Sequence, residues 1–456
     1  MPSSVGLSRR WLRGRTLFLG MVTLCLTVEL YSVWYAANNQ KEIQFEKTLS
    51  PAIVIKTEDV ASLFEEKKKI VAYAISVTKD GAYVDGAAVL AHSAIRVHRY
   101  GVSKYGVALI AFVSPAISKK TRTALEACGY RVLERDLPLR IADIQGEYLR
   151  NRIEKNGCCG AWELLKLYAW TLTEYHRVVH VDMDVLILQP LDELYDDLKI
   201  WGPQVRAVYT YDWTMARPPW GTNPPTQGGF IIAKPDIEVF NSLVDVVRKG
   251  DFQGGKGWGG TGVGAYWGGM TIQGLVPYFF EKLRPGSGFA VDECIYNNMA
   301  TNPRSVGGFD KGECRDGTKP PRKCKDCRLV DVETIKTTHF TICQKPWECR
   351  GLSNNCPYCP LCTKLHAKWY DIRKEMEIEW GTFDYSGNAP ERHGMCGRHS
   401  DGSRGYKPVP IDELVRNSSL ARAWRASWQN NKEDPESTTS SHNFQRQRRR
   451  RRRTTI

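Results

Sequence analysis

Two acids with one residue between them, Asp182 and Asp184, close a run with β character, Val178-Val179-His180-Val181. A second apolar run, Val185–Leu188, follows, and Pro190 ends it. Carboxylate oxygens are the ligands that Mg²⁺ and Mn²⁺ prefer, so two of them at a strand end suit a hard divalent cation. The carboxyl ends of strands in open α/β sheets are also where ligands bind. A surface turn carrying two solvated acids is the plain alternative, and the spacing alone leaves it open.

The acids need a scaffold, and the flanking pattern supplies one. Ile70–Val77 reads as a buried strand, broken by Thr78–Gly81. Ala82–Val97 reads as a helix with a small-residue face, Val107–Val113 as a second strand, and Tyr130–Leu133 as a third. Ser118–Ala127 is a helix with Ser118 as its N-cap. Ile141–Gly160 is irregular and ends in Asn156-Gly157-Cys158-Cys159-Gly160; Ala161–Thr173 is a strong helix leading into the acid-bearing strand. Beyond Pro190, Leu191–Leu198 and Asp236–Lys249 read as helices. Val205–Thr210, Gln227–Ile232 and Thr334–Thr341 read as strands, and Lys364–Trp380 as a charged amphipathic helix. Such alternation predicts an α/β fold with a mainly parallel mixed sheet. In the glycine-rich Gly254–Gly269, Trp258, Tyr266 and Trp267 suit stacking on a sugar, or equally an ordinary packed loop.

The 456 residues are enough for one large domain or two smaller ones. The net charge of +14 sits mostly at the ends: Arg9, Arg10, Arg13 and Arg15, and seven arginines in Arg446–Arg453. The body between is close to balanced, which gives no support to nucleic-acid binding. Leu17–Ala37 is mostly apolar, free of Lys and Arg, and long enough to cross a membrane once. Its basic flank predicts a type II protein with residues 1–16 in the cytosol, the span at 17–37 and a stem at 38–69. A cleaved signal peptide with its apolar region at Leu17–Leu30 is the rival, and either sends the body into the secretory pathway. Of the 14 cysteines, nine fall between Cys314 and Cys396. That crowding predicts disulfides in an oxidising lumen. Cys324/Cys327 and Cys356/Cys359/Cys362 also have zinc spacing, while Cys128 reads as a buried free thiol. Asn417-Ser418-Ser419 is a glycosylation sequon, and residues 431–456 read as a disordered Arg-rich tail.

Five motifs in order extend this picture. They are Leu164–Trp170, Val181–Val185, Gln227–Phe230, Met270–Gly274, and His339-Phe340 followed by Lys345-Pro346-Trp347. Together the chain resembles the glycogenin-like branch of the family 8 retaining glycosyltransferases over about Ile70 to Trp347. The resemblance implies a GT-A-type, Rossmann-like nucleotide-sugar-binding domain at 70–347, with a Cys-containing insertion near 310–330. A Cys-rich helical segment follows at 348–430. It implies a UDP-sugar donor and Mn²⁺, with Mg²⁺ as a substitute. Asp182, Asp184 and His339 resemble the metal ligands, and an imidazole beside two carboxylates favours Mn²⁺. Lys345 resembles the residue that holds the diphosphate; Lys166, Asp182 and Gln273 resemble catalytic positions. Val77, Thr78, Asp80 and Tyr83 resemble the lip of the uridine pocket, and Gln227 and Gln273 positions facing the transferred sugar. Where the family has an Asp-Gln pair this chain has Ile272-Gln273, which closes a covalent relay through that acid.

The expectation is a Golgi-membrane hexosyltransferase acting on a glycan, glycoprotein or glycolipid, with a hexuronic acid or pentose as other candidate sugars. A homodimer is compatible with it. A catalytically silent sugar-binding scaffold on the same fold, or a nucleotide-sugar hydrolase, would use the same residues.

Overall fold

The computed structural model describes residues 69–99, 102–196, 199–306, 311–349, 360–383, 392–398 and 404–429. The expected basic N-terminus, the span at 17–37, the stem up to residue 68, Cys356, Cys359 and the Arg-rich tail lie outside them. Among the described residues no helix is long and apolar enough to cross a membrane.

The chain opens with β1 (Ile70–Val77), whose side chains alternate between two apolar layers. Val71, Tyr73, Ile75 and Val77 face one layer; Ala72 and Ala74 face the other. Helix α1 (Tyr83–His98) crosses to β2 (Gly106–Val113), which pairs with β1 in parallel. Buried Ala87, Ala88, Ala91 and Ala94 make the predicted small-residue face of α1. Helix α2 (Lys119–Ala127) has Ser118 as its N-cap, the hydroxyl accepting from Thr121 N at 3.3 Å. It leads to β3 (Arg131–Glu134), again parallel.

The helix predicted at Ala161–Thr173 is Gly160–Thr171, and it is wound as a 3₁₀ helix. A 3₁₀ turn eclipses residues three apart. It thereby stacks Ala161, Leu164, Leu167 and Trp170 in one row against the core, where all four are buried.

Further strands follow, some in the main sheet and some in small two-stranded pairings. They are β4 (Arg177–Val181), β5 (Val185–Ile187), β6 (Ala207–Tyr211) and β7 (Thr226–Ala233). After α3 (Ile237–Lys249) come the short β8 (Phe252–Gln253) and β9 (Gly257–Trp258). Helix α4 (Ile272–Pro277), β10 (Gly288–Val291), β11 (Thr337–His339) and α5 (Pro360–Trp380) follow. The seven-stranded order is β10-β6-β7-β4-β1-β2-β3, with β7 antiparallel to both neighbours. This is the mainly parallel mixed sheet that the sequence predicts, followed by a disulfide-rich segment. Because β1 has β2 on one side and β4 on the other, the crevice between the ends of β1 and β4 is a topological switch point.

One expectation changes and one open choice closes. Within Leu191–Leu198 the described helical turn is only Asp192–Leu194. In the glycine-rich stretch Trp258 is 0% exposed and donates Nε1–H to Gly269 O at 2.8 Å, so it is core. Trp267, 52% exposed, still presents its ring.

Among the described residues four disulfides join Cys294–Cys327, Cys314–Cys324, Cys343–Cys362 and Cys349–Cys396. Cys324 and Cys327 therefore pair with different partners, which rules out zinc across them and settles that pair as disulfides. Cys128 is the buried free thiol expected, at the end of α2. Two of the bridges pin the segment from Cys343 to Cys349, at α5 and at Cys396. His366 of α5 supports the same segment, with Nε2 at 2.8 Å from Cys343 O. Burial pushes the His366 imidazole down to about 4 from an ordinary 6.5. Folding thus selects the neutral ring, and stability is full above pH 6.5 and falls as the pH drops towards 4. The urea midpoint is expected to fall between pH 7 and pH 5, and less so in His366→Gln. An identical pH profile in the variant would place that sensitivity elsewhere.

Candidate active site

Strand β4 delivers Asp182 to the switch point, where its backbone N–H donates to Gly229 O of β7 at 3.3 Å. The chain turns at Met183, and β5 then pairs antiparallel with β11 in the register Val185↔His339. That small pairing brings His339 to the acids across more than 150 residues of sequence. Phe340 N–H donates to Asp184 O at 2.9 Å and fixes the same junction. His339 Nε2 lies 3.2 Å from Asp184 Oδ1 and 3.7 Å from Asp182 Oδ2. One ligand atom from each of the three residues falls within 4.8 Å of the others. Two carboxylates and an imidazole in that space fit Mn²⁺ as a donor set.

Glycines clear the room. A Cβ on Gly229 would stand 2.4 Å from His339 Cε1 and 2.8 Å from Asp182 Oδ2. A Cβ on Gly86 of α1 would meet Met183 O at 2.5 Å and Trp347 Cη2 at 2.6 Å. Helix α1 can approach the acid turn only because that residue is glycine.

Two lysines balance the acids. Lys166, on the 3₁₀ helix, donates to Asp182 Oδ1 at 2.8 Å and Gly228 O at 3.0 Å, and pairs with Glu163 Oε2 at 2.8 Å. Burial favours its neutral form, but Asp182 and Glu163 outweigh this and raise its pKa, so the ammonium stays charged. Lys345 pairs with Asp184 Oδ2 and donates to Phe340 O at 2.7 Å. Its pKa is likewise raised, with Asp184 overriding burial. For Asp184, 5% exposed, burial would raise the pKa, yet His339 and Lys345 hold it well below the usual carboxylate range. Asp182 is lowered in the same way, against burial, by Lys166 and His339. Both acids are therefore ionised at neutral pH.

The other predicted residues take varied places. Gln273 lies in the first turn of α4, and the Cβ position of Gly228 is 3.6 Å from Gln273 Cγ and 3.5 Å from Lys166 Nζ, so the two side chains face each other across that glycine. Gln227 is buried; its carbonyl accepts from Gly229 N–H and its amide is 3.5 Å from Met299 Sδ. Tyr83 is exposed at the start of α1, its ring edge-on to Trp347 at 5.3 Å. Val77 ends β1 inside the core, and its carbonyl accepts from Ser114 N–H at 3.0 Å; Thr78 follows, half-buried. Asp80, exposed, accepts from Ser118 Oγ at 3.0 Å. Asn417 is exposed and remote, its Oδ1 accepting from Leu420 N–H at 3.1 Å.

Glu163 is the residue that sequence reasoning missed. It lies one 3₁₀ turn before Lys166, and an acid three residues from a helix lysine was the available signal.

No known family model matches the chain. The chain is 28% identical over 182 residues to glycogenin-1 of Oryctolagus cuniculus, covering 40% of this chain and 47% of that protein. It is 30% identical over 138 residues to UDP-glucuronate:xylan alpha-glucuronosyltransferase 1 of Arabidopsis thaliana, covering 30% of this chain and 18% of that protein. Among solved structures, the bifunctional glycosyltransferase WbbM aligns with a TM-score of 0.40 at 14% identity, over 70% of this chain and 52% of that one. Mouse xyloside xylosyltransferase 1 aligns with a TM-score of 0.38 at 11% identity, over 60% and 98%. At TM-scores this low neither likeness carries an argument. The chain spans less than half the length of the curated relatives it matches, and over that part it is similar to glycogenins and to xylan glucuronosyltransferases.

Proposed function

We propose that the chain is a Mn²⁺-dependent retaining glycosyltransferase. It moves a hexose, hexuronic acid or pentose from a UDP-sugar to a glycan, glycoprotein or glycolipid in the Golgi lumen. The carrying observation is the convergence of Asp182, Asp184 and His339 at the switch point, flanked by the charged Lys166 and Lys345. One relative's name specifies UDP-glucuronate, which supports a UDP-sugar donor. Four disulfides support an oxidising compartment, and the apolar run Leu17–Ala37 supports a membrane anchor.

Mn²⁺ held by Asp182, Asp184 and His339 would act as a Lewis acid on the diphosphate. Lys345 and Lys166, held charged beside the two acids, would stabilise negative charge where it develops on the departing UDP. Lys166 stays protonated and so serves as a donor, not as a base. Gln273, across Gly228 from Lys166, would orient sugar hydroxyls. Ile272 is buried in the core, so no carboxylate stands at the position of the family's relay acid. That favours attack on the same face as departure, with the leaving phosphate taking the acceptor proton.

The test is a donor screen on the full-length protein, following UDP release from each UDP-sugar with Mn²⁺ and with EDTA, with and without glycan acceptors. Metal-dependent release that rises with one acceptor supports the transferase. Release indifferent to every acceptor would point to a hydrolase. Failure to bind UDP or release it from any donor would leave a silent scaffold.

A further inference from the structure

Next to Lys166 lies a reactive pair that the proposed reaction does not use. The Sγ atoms of Cys158 and Cys159 are 3.3 Å apart, and Cys158 Sγ is 3.2 Å from Glu163 Oε1. Glu163 holds Lys166 through its other oxygen, and Lys166 holds Asp182. A chain of contacts thus runs from the thiols to the site. The loop is also tied to Gln273: Asn156 Oδ1 accepts from Met270 N–H at 3.0 Å. A Cβ on Gly157 would stand 3.3 Å from Gly268 Cα, and one on Gly268 would stand 2.0 Å from Gln273 Oε1.

The pair is accessible, with Cys158 exposed and Cys159 half-buried. Among the described cysteines the others are bridged, apart from the buried Cys128. Cys158 has one S–H to share between Cys159 Sγ and Glu163 Oε1; its contact with Cys159 holds that thiol below its ordinary range, against burial, and the Lys166 charge adds to this. A thiol with more thiolate character is the better nucleophile towards a disulfide. Gly157 and Gly160, at φ +70° and +57°, flank the pair and give it the turn it needs.

We propose that Cys158 and Cys159 form a redox-modifiable dithiol, oxidised to a vicinal disulfide by a low-molecular-weight disulfide such as oxidised glutathione, and that this weakens donor binding. The effect on the donor rests on the transferase reading; the disulfide does not. Cys159 loses its proton and attacks one sulfur of the oxidant, giving a mixed disulfide and one thiolate, which takes up that proton. Cys158 then attacks Cys159 Sγ and expels the second thiolate, which takes the Cys158 proton. Two protein thiols are oxidised by two electrons, and one glutathione disulfide is reduced to two thiols. To bond, the sulfurs need to close by about 1 Å, and the turn between the flanking glycines must absorb the strain of bridging neighbours whose Cα atoms are about 3.8 Å apart. Glu163 Oε1 loses its thiol donor, so its charge bears wholly on Lys166 and draws that ammonium away from the donor site.

The test equilibrates the full-length protein in reduced and oxidised glutathione, alkylates it, and digests it with trypsin. Peptide 156–166 is read by mass, and UDP affinity in Mn²⁺ is titrated in both states. The expected result is an alkylated dithiol under reducing conditions and an unalkylated internal disulfide under oxidising ones. UDP affinity is expected to fall about tenfold on oxidation, the scale seen when an outer-shell partner is lost. Cys158→Ser should form no internal disulfide and stop at a glutathione adduct on Cys159. A wild-type peptide that stays alkylatable, or stops at a stable glutathione adduct, overturns the dithiol. A disulfide that leaves UDP affinity unchanged overturns its effect on the site. If UDP binds in neither state the transferase reading falls with that effect, and the peptide masses still decide the dithiol.

Discussion

Asp184→Asn is expected to lower Mn²⁺-dependent UDP release by about 10³-fold, equivalent to about 4 kcal/mol of lost charge stabilisation. The change keeps the side chain's size and removes its charge at the point where His339 Nε2 and Lys345 converge. An amide is a poor ligand beside an imidazole, and it leaves Lys345 without its anion. Because the backbone junction from Phe340 N–H to Asp184 O does not involve the side chain, the fold should survive. Turnover by the variant compared with wild type, with thermal unfolding as the control for folding, checks this. A fall of less than about tenfold in a folded variant would remove Asp184 from the metal site.

Gly229→Ala is expected to weaken Mn²⁺ affinity by about 10- to 100-fold without touching any ligand residue. The added Cβ would enter the space shared by His339 Cε1, at 2.4 Å, and Asp182 Oδ2, at 2.8 Å. Gly229 lies within β7, and its φ is not in the left-handed region, so alanine imposes no backbone strain there. The clash must be relieved by His339 or Asp182 moving, and either motion spreads the ligand atoms. Mn²⁺ titration of the two proteins at equal UDP concentration reads the effect. Equal affinities would mean that the ligand set closes around the metal in some other way.

The elements that position the site were legible where the signal is local. Val178–Val181 followed by two acids marks a strand end, and alternating strands and helices mark the sheet that holds it. Ser118 and Asp236 cap their helices with oxygens accepting from the second or third N–H, as their residue types suggest. His339 was different. No spacing points from it to Asp184, because a pairing of two three-residue strands brings them together. Only the resemblance carried that residue. The winding of Gly160–Thr171 was also hidden: the same Leu and Trp positions serve an α-helix or a 3₁₀ helix, and packing against the core decides. Trp258 among glycines could face a sugar or the interior, and nothing in its neighbours distinguishes the two. Disulfide partners were unreadable for the same reason, since Cys324 and Cys327 are three apart yet bridge in different directions. Glu163 was within reach of sequence reasoning, but its spacing to Lys166 resembles any surface pair until Lys166 is seen to be buried.

If Asp182, Asp184 and His339 hold one divalent cation, UDP binding depends on it. The most direct measurement is a Mn²⁺ titration of the wild-type protein by electron paramagnetic resonance, with and without UDP. The expected result is one Mn²⁺ per chain, bound more tightly when UDP is present, with the bound signal lost in Asp184→Asn. UDP binding at full strength in EDTA, with no Mn²⁺ taken up, would contradict it.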